Sequence, residues 1–358
     1  MSLFWVIVQF VIAFGLLLFF HEFGHFIASR LLHIEVEEFG FGLPPRMVKL
    51  FTWQGTDFTI NWIPFGAFVR PKGENDPEIA GGMGAASPWA RLAVLFAGPL
   101  MNILVGLILL VALYGWVGVP DPTVVQIVQI APSSPAQQAG IQPGDFVQQI
   151  NGQVVNSYQV LQDAVKANLG KPVTLTLLRG ATTVTIQVTP RTNPPANQGA
   201  LGIQMDYGLK TIPWTQAIPQ AFQGLYDQVS QFVMLPVHLI EGTIAPDQAR
   251  VVGIVGIFGV YNDASQMDAQ ANATPIQRPP LFRLSFFIAI TIALGLTNLL
   301  PIPALDGGRI LLILPELVLR RRIPARYENM VNAIGFILLL GLMGVVTISD
   351  IIHLVKPN

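Results

Sequence analysis

The sequence predicts a polytopic α-helical membrane protein of about four transmembrane helices, with a β-hairpin region and one small α+β domain between them. Three observations lead there. The 358 residues are 52% hydrophobic and only 11% charged, against about 25% charged in ordinary soluble domains. Four apolar stretches are long enough to cross a bilayer, which takes roughly 20 helical residues. Between the second and third of them the composition turns polar and acquires strand-like alternation.

The first stretch runs from Leu3 to Leu32, and Leu3 to Phe20 carries no charge. No basic leader precedes it and no small-residue cleavage site follows it, so it reads as a retained first helix rather than a signal peptide. The others run from Pro88 to Val119, Leu281 to Leu314 and Val331 to Ile352. After the first, Phe39-Gly40-Phe41-Gly42, Met47 to Leu50, Asp57 to Trp62 and Gly66 to Val69 alternate between glycines, which reads as short β-hairpins. Pro71 to Ser87 reads as a Gly/Pro-rich loop. In the polar region, Val124 to Val128, Val173 to Leu178 and Thr182 to Val188 read as strands, the last two turning at Arg179-Gly180. Ser134 to Ala139 reads as a short helix and Tyr158 to Ala167 as a longer one.

Ala217 to Leu239 is amphipathic and is expected to lie along the membrane, with Pro219 and Pro236 limiting its helical length. Val251 to Val260 is apolar but short, and Asp263 to Pro280 reads as a flexible polar loop. The expected organisation is a first membrane half (1–119), the α+β domain (120–207), a connecting segment (208–280) and a second membrane half (281–358).

The net charge of −1 supplies no basic field for nucleic acid. The absence of cysteine excludes disulfides, thiolate zinc sites and a cysteine nucleophile. Histidine and carboxylate remain as the strong metal ligands. Arg30, Arg46, Lys49, Arg70, Lys72 and Arg91 flank or occupy the first connection, and Arg320, Arg321, Arg322 and Arg326 crowd the third. By the positive-inside rule both connections are cytoplasmic, which puts the α+β domain and both termini outside, Lys356 being a minor exception.

The chemistry concentrates at His21-Glu22-Phe23-Gly24-His25. Residues four apart share a helix face, so His21 and His25 can bind one metal ion, and Glu22 can take a proton from a water there. The plain alternative, two buried histidines bonded to helix neighbours, leaves Glu22 as an unexplained buried charge. A third ligand belongs among acids of the other apolar stretches, and Asp306 leads. It lies in Asn298-Leu299-Leu300-Pro301-Ile302-Pro303-Ala304-Leu305-Asp306-Gly307-Gly308, where the prolines must interrupt the helix; broken backbone at membrane depth survives only where protein or water satisfies it. Alternatively Asp306 merely opens the cytoplasmic loop and pairs with Arg309. Gly98-Pro99-Leu100-Met101-Asn102 is a second polar interruption, which on its residues alone reads as a helix kink with Asn102 joining helices. His33, His238 and His353 stand alone and read as surface residues, and Glu316 is expected to pair with an arginine of the third connection.

At these residues the chain resembles the site-2 protease family of bacterial intramembrane zinc metalloproteases. His21 to His25, the run Asn298 to Gly307, and Gly98 to Asn102 look like three of its motifs. The hairpin region from Phe41-Gly42 to Asn75 is similar to the family's membrane-associated β-region. There, Ile63-Pro64-Phe65-Gly66-Ala67-Phe68-Val69 stands where Pro-x-Gly-Gly-Tyr-Val is usual, with Ala67 and Phe68 as departures. Ser134-Pro135-Ala136 through Asp145, then Ile150-Asn151-Gly152, resembles a bacterial PDZ domain, here extracytoplasmic. Arg250 to Ile257 is similar to a Ser-Gly-Pro-Val-Gly-Ile element without its proline, and no role is assigned to it.

The resemblance implies a multi-pass protein of the bacterial inner membrane, in contact with the lipid bilayer, that cuts transmembrane protein or peptide substrates near the cytoplasmic side. It implies Zn2+ held by His21, His25 and Asp306, with Glu22 as general base. It places Asn102 and Asn298 near the centre, with Asn298, Asn102, Gly66 and Phe68 contacting substrate. The PDZ-like domain then takes a peptide ligand for recruitment or acts as a size filter, and the sequence favours neither. Two other function classes compete. A non-enzymatic scaffold built on the PDZ-like domain needs neither Glu22 nor Asp306. A zinc transporter needs successive polar sites across the membrane, and one cluster is apparent.

Overall fold

The computed structural model describes residues 2–74, 76–195, 198–243, 252–271 and 280–355. In chain order the elements are α1 (Leu3–Leu31), β1 (Val36–Trp53), β2 (Thr56–Pro71), α2 (Pro88–Trp116), β3 (Val119–Ile130), α3 (Pro135–Gln138), β4 (Phe146–Ile150), β5 (Gln153–Val154), α4 (Tyr158–Ala167), β6 (Val173–Arg179), β7 (Thr182–Val188), β8 (Ile203–Lys210), α5 (Trp214–Ile240), α6 (Ile254–Ala271), α7 (Leu281–Asn298), α8 (Asp306–Leu319) and α9 (Ala325–Val355). The chain divides into two compact units, one of Met1–Ala112 with Ala221–Asn358 and one of Leu113–Gln220.

In the first unit α1, α2, α7 and α9 are the helices long and apolar enough to cross a membrane. The third apolar stretch, expected as a single span from Leu281 to Leu314, is two helices. α7 stops at Asn298 and α8 begins at Asp306. Pro301 and Pro303 offer no N–H to a continuing helix, and Ala304 sits at φ 77°. The break is held by close backbone packing. A Cβ at Gly307 would overlap the Leu299 and Leu300 carbonyls, one at Gly308 the Ile302 carbonyl, and one at Gly335 of α9 would strike Pro303. Beneath it, Ile34, Met83, Leu92, Val94, Leu95, Ile310 and Ile313 form a buried cluster that joins α2 to α8.

The β region is one long hairpin of β1 and β2 rather than several short ones. It folds back on itself, so that Glu38 to Phe41 pair with Ala67 to Arg70 on one side and with Asp57 to Ile60 on the other. Gly42 and Gly66, at φ 77° and 88°, supply left-handed backbone that glycine alone adopts without steric cost.

Two expectations for the connecting segment are corrected. Pro219 and Pro236 do not limit the amphipathic helix, because α5 runs through both. Each removes one N–H donor from the ladder but leaves the helix continuous. Asp263 to Ala271 is not loop but the second half of α6, tied down where Asp268 accepts from the N–H groups of Phe282 and Arg283 and from the Arg283 side chain. Residues 272–279 of that expected loop, Arg250 and Val251, Asn75 and Lys356 lie outside the described residues.

The second unit is a sheet in the order β7-β6-β4-β3-β8, with β5 on β4. Its core includes Val125, Ile127, Leu161, Val173, Leu175 and Leu177. The turn between β6 and β7 falls on Gly180 and Ala181, one residue beyond the expected position. β4 and β8 are additions to the expected strands: β4 is five residues long and its adjacent Gln148 and Gln149 break the alternation, whereas Ile203 to Lys210 alternates apolar and polar along its length and carries a strand signal that the expected set leaves out.

Candidate metal centre

His21 and His25 lie one turn apart on α1, and Asp306 opens α8. His21 Nε2 is 3.2 Å from His25 Nε2. Asp306 Oδ2 lies 3.1 Å from the first and 3.3 Å from the second. Among the described residues these three form the one cluster of histidine and carboxylate groups able to hold a metal ion.

Neighbouring groups orient both rings. His25 Nδ1 donates to the Val94 carbonyl at 2.8 Å, which leaves the Nε2 lone pair turned toward Asp306. The Asn102 amide lies 3.3 Å from His21 Nδ1, and Asn102 Oδ1 is buried with no other partner. Turning that amide so that Oδ1 accepts from Nδ1–H satisfies the orphan oxygen and frees His21 Nε2. Two lone pairs and a carboxylate oxygen then converge, an arrangement that repels unless a cation sits among them. Zinc fits it. Tetrahedral ligands about 2.0–2.1 Å from zinc lie about 3.3 Å from one another, close to all three separations. An outer hydrogen bond on each ligating histidine is what such sites require.

The helix crossing that makes this possible depends on glycine. A Cβ at Gly24 would overlap the Ala97 carbonyl, and one at Gly98 would overlap the His25 ring. Small residues let membrane helices approach at backbone distance. The close approach at Gly24 and Gly98 and the Val94 carbonyl bond to His25 are visible only in the structure, although both glycines lie inside motifs that the sequence singles out.

Glu22 is half-buried, and its Oε2 accepts from the Val69 N–H at 3.1 Å. Asn102, read from its residues as a helix tie, does both jobs: it lies on His21, and its carbonyl accepts from Thr291 of α7 at 3.2 Å. Gly66 packs near Leu18 of α1, and the Phe68 ring covers Gly40. Asn298 is the last residue of α7, half-buried. Asp306 does not pair with Arg309, which binds Glu74 at 2.6 Å instead. Glu316 pairs with Arg91 at the start of α2, not with an arginine of the third connection. His33 is exposed, and His238 meets Thr243.

Comparison with known proteins agrees along nearly the whole chain. The family described as Peptidase family M50 matches residues 9–342. A Clostridium perfringens protein that carries a zinc-metalloprotease name is 34% identical over 345 residues, covering 96% of this chain and 97% of that one. The Bacillus subtilis regulator of sigma-W protease RasP is 27% identical over 428 residues, covering 96% and 98%. Among solved structures, the PDZ domain of the SdrC-like protein of Listeria innocua aligns with 24% of this chain and 94% of its own length, at 22% identity and a TM-score of 0.21. Matched by the family over residues 9–342 and by relatives along their full length, the chain belongs to Peptidase family M50.

Proposed function

We propose that this membrane metalloprotease cleaves peptide bonds within transmembrane segments, near the cytoplasmic side, with His21, His25 and Asp306 as its zinc ligands and Glu22 as its general base. The convergence of Nε2, Nε2 and Oδ2 to within 3.3 Å of one another carries this reading. When bound, zinc supplies Lewis acidity that polarises a peptide carbonyl and acidifies an attacking water. The chain does the rest. The Val94 carbonyl and Asn102 hold the two imidazoles in their ligating orientation. The Val69 N–H anchors Glu22 by one oxygen, and the other is left to receive the proton of the water.

A helical substrate hides its carbonyls in its own hydrogen bonds, so it must unwind before it reacts. The segment Gly66 to Val69 runs beside α1, and backbone groups of alternate strand residues point the same way. With the Val69 N–H held by Glu22, Ala67 and the Val69 carbonyl offer the edge on which an unwound substrate can pair as a strand, with Gly66, Phe68 and Asn298 bordering it. The extracytoplasmic unit works as a PDZ-like peptide-binding module, and its removal distinguishes recruiting from filtering: lost cleavage supports the first, cleavage of untrimmed substrates the second. The substrate class is membrane-anchored protein left by an earlier cut, an anti-sigma factor or a signal-peptide remnant. The name of the Bacillus relative, a regulator of a sigma factor, favours the former.

The test is Glu22→Gln. The variant should bind zinc like the parent and lose roughly a hundred- to ten-thousandfold in cleavage of a model membrane peptide. A fully active Glu22→Gln protein refutes the assignment.

A further inference from the structure

We propose that Glu38 is a positioning residue for this hydrolysis, fixing through Arg70 the strand segment whose backbone holds Glu22. The inference rests on the reading of Glu22 as the base. Glu38 lies in β1, fully inside the folded-back hairpin at 3% exposure. One oxygen accepts from Arg46 at 3.0 and 2.8 Å and from Thr59 at 2.8 Å. The other meets Arg70 at 3.1 Å. A single carboxylate thus ties both flanking pairings of β1 together, since Glu38 faces Arg70 on one side and Asp57 on the other. Arg70 is the neighbour of Val69, whose N–H binds Glu22. The chain of contact runs Glu38, Arg70, Val69, Glu22.

A buried carboxylate is a poor means of holding a sheet together, because its desolvation offsets much of the attraction. An apolar side chain would pack as well. What a carboxylate adds is direction: its four acceptor positions fix the lateral placement of three donors. Catalysis needs that placement, because displacement of a reacting group by about 1 Å can cost a hundredfold in rate.

The alternative, that Glu38 serves only the fold of the hairpin, is separable by experiment. Arg46 and Arg70 are 45% and 52% exposed, so water can solvate both when Glu38 is removed, and the variants should fold. Glu38→Ala, Glu38→Gln and Arg70→Ala are to be purified as full-length zinc-loaded protein and assayed on a model membrane peptide beside Glu22→Gln. Arg70→Ala leaves the bonds of Glu38 to Arg46 and Thr59 intact and cuts the link to Val69, and it also removes the Arg70 guanidinium from over the Phe68 ring, whereas Glu38→Ala leaves that ring contact in place. The expected result is unchanged zinc content and melting temperature, KM within about twofold, and kcat lowered about ten- to a hundredfold in Glu38→Ala and Arg70→Ala. Glu38→Gln, which keeps the Thr59 bond, should recover part of the loss. Hydrogen exchange should quicken over Gly66 to Pro71. Parental kcat in Glu38→Ala and Arg70→Ala, or a kcat loss that only follows lost zinc or lost melting temperature, overturns the proposal. If Glu22→Gln is itself fully active, it is the reading of the base that fails.

Discussion

The two units treat polar groups in opposite ways. In Leu113–Gln220 the interior is apolar, and the buried polar residues, Ser134 and Asp145, serve local turns, Asp145 also reaching across to β6. Ser134 caps α3, and Asp145 accepts from the Gln142 N–H and from Nε and Nη2 of Arg179. In the membrane unit large apolar side chains face outward as well as inward, and more polar groups lie inside. Trp5, Phe96, Leu100, Ile337 and Leu338 point outward, while His21, Arg91, Asn102, Asp268, Thr291 and Asp350 are buried. Lipid offers no hydrogen bonds, so polar groups turn inward, and an ionisable group inside must be paired or functional. The difference teaches where to look for function: Ser134 and Asp145 hold loops and strands of the second unit together, whereas in the first unit His21 and Asn102 meet at the metal centre and Asp268 and Thr291 join helices.

Variants that strike each kind of group break or sharpen this contrast. The largest effect is expected from the three residues proposed as zinc ligands. Asp306→Asn or His25→Ala should bring bound zinc and cleavage to background, read by metal analysis of the purified protein beside the peptide assay; retained zinc in both would show that the cluster is not the metal site. Gly98→Ala comes next. Its Cβ would force the His25 ring out of line, so zinc affinity and activity should fall together while the protein still reaches the membrane. Asn102→Ala removes only an orienting bond, and about ten- to a hundredfold weaker zinc binding is expected, measured by competition with a chelator. Asp145→Ala in the second unit is expected to lower the stability of that unit by roughly 1–3 kcal/mol. It should leave zinc content and cleavage of a short membrane peptide unchanged, and a loss of zinc from this variant would dissolve the contrast between the units.

Legibility in the sequence followed range. His21 and His25 were readable as a pair because helical periodicity is local. Tyr158 to Ala167 and Thr182 to Val188 emerged with the bounds expected of them, since patterning and turn residues mark such elements within a few positions. The hairpin was readable as β, but its folding back on itself was not, because the pairing of Glu38 with both Asp57 and Arg70 is invisible in alternation. The helical end of α6 was missed because its polarity looks like loop. Asp268 makes it helix-compatible only by binding Arg283 of α7. The partner of Glu316 was missed for a similar reason: nearby arginines were the obvious choice, and Arg91 comes close only once α2 and α8 pack.

By itself the sequence determined the membrane class, the presence of four spanning stretches, the donor atoms available to a metal and the one helix face that carries two of them. These follow from composition and periodicity, which act over a turn of helix or the thickness of a bilayer. The tertiary structure alone decided that Asp306 reaches those histidines, that Asn102 and Val94 orient them, and that Val69 holds Glu22. Those placements depend on how closely α1, α2 and α8 approach, and that distance is set by glycines meeting carbonyls and rings across helices, contacts between residues that no local pattern connects.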